Sequence, residues 1–140
     1  MTSEADTLQK WNARGIGKFP GYLGIVFTRV IPTEVIGEFA VKSIHMAPNG
    51  FLHAGSIVTL ADTSCGYGCF ASLPEGATGF TTIELKSNFL GTAREGTILS
   101  RATPLHLGRT TQVWDALVTH RETGRTLAMF RCTQLVLYPK

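Results

Sequence analysis

Asp62 is a carboxylate at the end of a largely apolar run, Ile57-Val58-Thr59-Leu60-Ala61, and it follows His53 by nine positions. Taking that charge out of water is costly unless the group is neutralised, hydrogen-bonded or put to use. Just upstream, Pro48-Asn49-Gly50 is a turn signal, and His53-Ala54-Gly55 leads into the run. A Gly-containing turn ahead of an apolar run marks a helix N-terminus, where free backbone N–H groups can bind an oxyanion. An acid beside an anion-binding helix start is the equipment of an acyl-transfer site.

The elements that must position these groups follow from periodicity. Residues 55–72 are the only long helical candidate, with Ile57, Leu60, Ala61, Ser64, Cys65, Gly68 and Cys69 near helical spacing. Gly66 and Gly68 each weaken such a helix by roughly 1 kcal/mol relative to Ala. A helix held by burial, its small residues lying close against a sheet, is therefore expected rather than a surface helix. Pro74-Glu75-Gly76 ends it. Residues 22–31 and 35–46 read as a hairpin across Pro32-Thr33, and residues 78–90, 96–107, 110–121 and 126–138 as four further strands. Their joints are short, which favours antiparallel neighbours. The expected class is α+β, with a largely antiparallel sheet wrapped around one long central helix. Residues 3–12 suggest a short helix with Ser3 as N-cap, and Gly15, Gly17, Pro20 and Gly21 then break the chain. The expected division is an N-terminal arm over residues 1–21 and a single domain over residues 22–140.

Composition narrows the function classes. A chain of 140 residues with 44% hydrophobic and 16% charged content builds one real core. No apolar run is long enough to span a bilayer, and the polar start is unlike a signal peptide, so a soluble cytoplasmic protein is expected. The net charge of +3 is mild and its bases are scattered, which argues against nucleic-acid binding but suits a phosphorylated small molecule. Cys65, Cys69 and Cys132 lack metal-type spacing and read as small buried hydrophobes. A sheet face that one helix leaves uncovered invites a homo-oligomer.

Asn49-Gly50-Phe51-Leu52-His53-Ala54-Gly55, followed by Leu60-Ala61-Asp62-Thr63, resembles the signature of the hotdog-fold acyl-CoA thioesterases, in particular the PaaI-like (phenylacetate-pathway type) family. Thr81-Thr82-Ile83-Glu84-Leu85 with Asn88-Phe89-Leu90 is similar to the family's third strand, and His106-Leu107-Gly108-Arg109-Thr110 to its strand-turn motif near coenzyme A. The resemblance covers residues 22–138. It implies a hotdog fold and a thioester hydrolase. It also implies a dimer or a dimer of dimers (a homotetramer), with active sites at subunit interfaces that use residues of two chains. Coenzyme A then enters only as part of the acyl-CoA substrate, and no separate cofactor or metal is called for.

Carried over residue by residue, the resemblance makes Asp62 the nucleophile or the general base for a water. Gly55 supplies a backbone N–H to the oxyanion hole, besides being a Gly that the turn requires. His53 orients the loop by hydrogen bonds. The family places Asn or Gln six residues before the His; that position is Ala47 here, and Asn49, four before, either substitutes for it or shapes the Pro-Asn-Gly turn. Ala54 likewise departs from the family's Gly. Thr82 matches a Ser or Thr that helps hold the nucleophilic water, and is also a good strand residue. Arg109, after Gly108, is placed to contact a coenzyme A phosphate or to lie solvated in a turn. Phe89, Leu90 and Trp114 line either the core or the acyl pocket. The catalytic candidates are thus Asp62, Gly55, His53, Asn49 and Thr82, and the substrate-binding candidates Arg109, Gly108 and Phe89. A non-catalytic acyl-CoA-binding or regulatory hotdog protein is the alternative.

Overall fold

The structure is a computed structural model that describes residues 4–140. Its centre is α3 (Ala54–Ala71), an 18-residue helix with nine buried residues. The glycines are explained by what they touch. A Cβ on Gly68 would lie 2.4 Å from the Trp114 ring, and one on Gly66 3.0 Å from Phe80. The helix sits too close to the sheet for side chains there, so its propensity deficit is the condition for its burial.

Six strands make one antiparallel sheet around it: β1 (Val26–Ile31), β2 (Glu34–Ala40), β3 (Gly79–Phe89), β4 (Thr97–Leu107), β5 (Thr111–His120) and β6 (Thr126–Leu137). Their spatial order is β1-β2-β4-β5-β6-β3. Burial alternates along the strands. Val35, Gly37 and Phe39 face the helix on β2, Trp114, Ala116 and Val118 on β5, and Phe130 and Cys132 on β6. They meet Ile57, Leu60, Ala61 and Cys65 in one core. The expected α+β class and the wrapped helix are what the chain adopts.

Two expected boundaries shift. The first strand begins at Val26 rather than Tyr22, because Phe19–Tyr22 forms a short helix, α2, with Pro20 in its first turn. Gly24, at φ 71°, then turns the chain into β1. The second strand ends at Ala40 rather than Met46, because Ser43–His45 forms a 3₁₀ turn. The cause is His45, fully buried: its Nδ1 accepts from the Lys42 N–H at 2.9 Å, and its Nε2 donates to Leu23 O at 2.7 Å.

Helix α1 (Glu4–Ala13) lies against β1. The N-cap expected at Ser3 falls outside the described residues. Asn12 hydrogen-bonds both backbone groups of Phe27, and Trp11 packs its ring 5.0 Å from that of Tyr67. One sheet edge is thereby partly covered. The other edge, β3, is open and carries exposed Ile83, Leu85 and Phe89. Cys65, Cys69 and Cys132 are free and buried, and burial pushes the Cys69 thiol up to about 12, so they are apolar packing groups.

Candidate active site

The helix start is built by a loop that hydrogen-bonds to itself. Ala47 N–H donates to Phe51 O at 2.7 Å, Gly50 N–H donates to Ala47 O at 3.0 Å, and Gly50 takes φ 86°. Asn49 Oδ1 accepts from the Phe51 N–H at 3.2 Å, so its amide caps its own turn. The buried His45 then anchors the next segment: its carbonyl accepts from the His53 N–H and from Ser56 Oγ, both at 2.9 Å. Sequence reasoning missed His45, whose signal was its place on the same alternating face as Val35, Gly37, Phe39 and Val41.

His53 is the N-cap of α3, and its Nδ1 accepts from the Gly55 N–H at 2.8 Å. The N–H expected to face an oxyanion is thus held by the imidazole of the same chain. The Ser56 N–H is taken by His53 O at 2.9 Å. The Ala54 N–H, first in the helix, has no acceptor among the described residues. A Cβ at position 55 would lie 2.9 Å from His53 Nδ1, so a side chain there would displace the exposed His53 ring from the Gly55 N–H.

Two turns further along α3, Asp62 faces β3. Its Oδ1 is buried and has no hydrogen-bond partner among the described residues. Burial pushes this carboxyl above the ordinary carboxylate range, and a hydrogen bond with the Thr82 side chain pulls it part of the way back. Thr82 is paired with Gln134 across β3 and β6, and its Oγ1 donates to Gln134 Oε1 at 2.6 Å. Gln134 is fully buried. Sequence reasoning missed it too, although a Gln two residues from Cys132 and from Val136 stands on a strand face that is otherwise apolar.

The structure therefore brings Asp62 to Thr82, and His53 to Gly55, but keeps these two groups apart, while Asn49 contacts only its own turn. Gly55 and Asp62 are seven residues apart, hence about 10 Å along the helix axis and on the same face. Phe89 ends β3 beside the helix-start loop, where Leu90 N–H donates to Leu127 O and Leu52 N–H to Thr92 Oγ1. Gly108 and Arg109 turn the chain at the opposite end, where Gln112 Nε2 donates to Ser72 O just past α3. The Gly108 N–H closes that turn on Thr111 O at 2.9 Å, and Arg109 is exposed. A hollow of about 270 Å³ opens elsewhere, on the outer sheet face among Lys86, Leu117, Met129 and Arg131, and reaches neither group.

Comparison with known proteins agrees with this architecture. The sequence profile of the thioesterase superfamily matches residues 49–132. The chain is 34% identical over 134 residues to the 1,4-dihydroxy-2-naphthoyl-CoA hydrolase of Escherichia coli, covering 94% of this chain and 95% of that one. It is 29% identical to the proofreading thioesterase EntH of Cronobacter sakazakii, covering 94% of each. Among solved structures, a mutant thioesterase of Pseudomonas aeruginosa superposes with a TM-score of 0.88 at 28% identity, over 98% of this chain and 96% of that one. The chain belongs to the thioesterase superfamily and is a hotdog-fold thioester hydrolase.

Proposed function

We propose that the protein hydrolyses acyl-CoA thioesters to free acid and coenzyme A in the cytoplasm, at sites shared between two copies of the chain. The observation that carries this reading is the buried, unpartnered Oδ1 of Asp62. A buried acceptor without a partner costs stability and calls for a reason, and a reacting atom or water supplies one. In this reading Asp62 takes the proton of an attacking water, or attacks the thioester carbon itself, which breaks the C–S bond, releases coenzyme A as thiolate and leaves a mixed anhydride that water then hydrolyses. Backbone N–H groups at a helix start hold the oxyanion of the tetrahedral intermediate. In the water route the intermediate collapses by breaking the C–S bond, and the departing thiolate recovers the proton from Asp62.

One chain does not complete that site. N–H groups in the first turn of α3 point away from Asp62, and a carbonyl bond is only about 1.2 Å long, so no single thioester touches both groups. A two-fold pair solves the problem. The helix start of each copy meets Asp62 of the other, and the axis crosses α3 midway, near Val58 and Thr59. Support comes from the half-buried stripe Val58, Thr59, Asp62 and Thr63 along the middle of α3, and from the open apolar edge of β3. The Ala54 N–H is the donor ready for the oxyanion, and Gly55 joins it when the His53 ring turns away. Arg109 and Gly108 are assigned to a coenzyme A phosphate and Phe89 to the acyl group; their placement at opposite ends of one chain again requires two copies. A dimer of dimers uses the same paired sites.

The test is thiol release from short, medium, long and aromatic acyl-CoAs. Asp62→Asn is expected to lose roughly 10²- to 10⁴-fold in rate while staying folded and oligomeric. Full activity in that variant removes Asp62 from the mechanism. A wild-type chain that binds acyl-CoA without releasing thiol is a binding protein instead.

A further inference from the structure

We propose that the hollow between the β3–β4 and β5–β6 connections binds a phosphate of coenzyme A, gripped by Arg94 and Arg125. This deepens the reading that acyl-CoA is the substrate and rests on it. The hollow measures about 120 Å³, and its walls include Thr92, Arg94, Glu95, His120, Thr123 and Arg125. His120, the last residue of β5, clasps the two connections together. Its Nε2 donates to Glu95 O at 2.9 Å, and its Nδ1 bonds Thr123 Oγ1 at 2.8 Å. Each connection thus carries one arginine to the same opening.

The positive charge there is uncompensated. Elsewhere Arg29 and Arg101 are paired with Glu34, Arg121 with Glu38 and Arg131 with Asp115. Arg94 and Arg125 form no ion pair among the described residues, not even with Glu95 on the same wall. The Glu122 carboxylate is engaged by the Thr97 N–H at 2.6 Å. Arg94 donates its Nε–H to Gly50 O at 3.2 Å, which leaves the two terminal NH₂ groups of its fork for the oxygens of an anion. Thr92 Oγ1 accepts from the Leu52 N–H at 3.0 Å and keeps its own proton to donate. Both bonds tie the hollow to the loop that opens α3, so an anion held here lies beside the helix start. Coenzyme A meets that geometry, because it carries its thiol at one end and a diphosphate and a 3′-phosphate at the other. The two-fold pair adds a third arginine. Asp62 of one copy meets the helix start of the other, and the antiparallel helices carry the Arg109 turn of the first copy to the end where the second holds its hollow. Arg109 of one copy and Arg94 and Arg125 of the other then share the phosphates of one coenzyme A.

The experiment compares coenzyme A with pantetheine, which has the same thiol arm and no phosphate, by calorimetry on the full-length protein. Wild type should prefer coenzyme A, and the preference should shrink as salt is raised. Arg125→Gln should cut that preference roughly tenfold, the worth of one charge-assisted hydrogen bond. The exposed Arg125 guanidinium makes no hydrogen bond among the described residues, so its loss leaves the turn intact. Arg94→Gln should act alike, and Arg94→Lys, which keeps the charge but loses the fork, should fall between. In thiol release, the ratio of kcat/KM for an acyl-CoA to that for the matching acyl-pantetheine should drop by the same factor in Arg125→Gln. A wild-type preference retained in both Arg125→Gln and Arg94→Gln overturns the proposal, as does a wild-type protein that binds the two thiols equally. If coenzyme A binds as described but neither thioester releases thiol, it is the hydrolase reading that fails and the phosphate site stands.

Discussion

Gly68→Ala sets helix propensity against packing, and the structure decides the sign. Propensity alone says the change stabilises α3 by about 1 kcal/mol. The new methyl carbon, however, would lie 2.4 and 2.5 Å from two carbons of the Trp114 ring. Carbon atoms rest about 3.5–4.0 Å apart, so the overlap is roughly 1 Å. The ring has nowhere to go: Trp114 is fully buried, its Nε1–H donates to Gln112 Oε1 at 2.8 Å, and Gln112 is itself tied to Ser72 O at 3.2 Å. Overpacking of a fixed core costs typically 1–3 kcal/mol, and with this much overlap the upper part of that range applies. After the propensity gain the net loss is about 1–2 kcal/mol, or roughly 3–8 °C in Tm for a chain of this size. Urea denaturation at one fixed protein concentration should show a lower midpoint with an unchanged slope. Gly66→Ala is the control: its new methyl would lie 3.0 Å from the tip of the half-buried Phe80 ring, which has room to move, so its stability should change by no more than about 0.5 kcal/mol. Gly68→Ala as stable as wild type would refute the close approach of α3 to β5.

Asp62→Asn should be more stable than wild type at neutral pH. The wild-type carboxyl titrates higher in the folded than in the unfolded chain, so its contribution is fully present below the unfolded value and is lost as pH rises through the folded one. The advantage of the variant should therefore shrink as pH falls from neutral towards about 4, and thermal melts across that range check it. Thr59→Cys should cross-link to itself on mild oxidation, giving a covalent dimer on a non-reducing gel. The three native thiols are buried and should stay silent.

Much of the fold was legible because burial and sequence share a period. On β2 the core-facing Val35, Gly37 and Phe39 alternate in the sequence as they do in burial, and the apolar run after Gly55 is the buried helix. The shifted boundaries come from contacts that periodicity does not encode: His45 bonds to Leu23, 22 positions away, and closes a 3₁₀ turn where alternation continues a strand. Strand order was likewise hidden, since β3 pairs with β6 across two intervening strands in sequence. At the candidate site, Asp62 stood out as a lone acid, while Gln134 was one polar residue among many until its register with Thr82 was known. The Gly55 N–H looked free from spacing alone; the bond to His53 Nδ1 depends on a side-chain angle that spacing leaves open.

The central claim is that Asp62 of one copy works with the helix start of another, and subunit mixing tests it most directly. Ala54→Pro removes the first N–H of α3 at the helical position most tolerant of proline, behind a His53 already at φ −66° and ψ 133°. Ala54→Pro and Asp62→Asn should each be nearly inactive alone. Unfolded together in equal amounts and refolded, half of the random pairs combine one of each, and every such pair holds one intact site of two. The account predicts recovery of about a quarter of wild-type thiol release. Formation of mixed pairs with no recovery of activity would place Asp62 and its oxyanion donors in a single chain and contradict it.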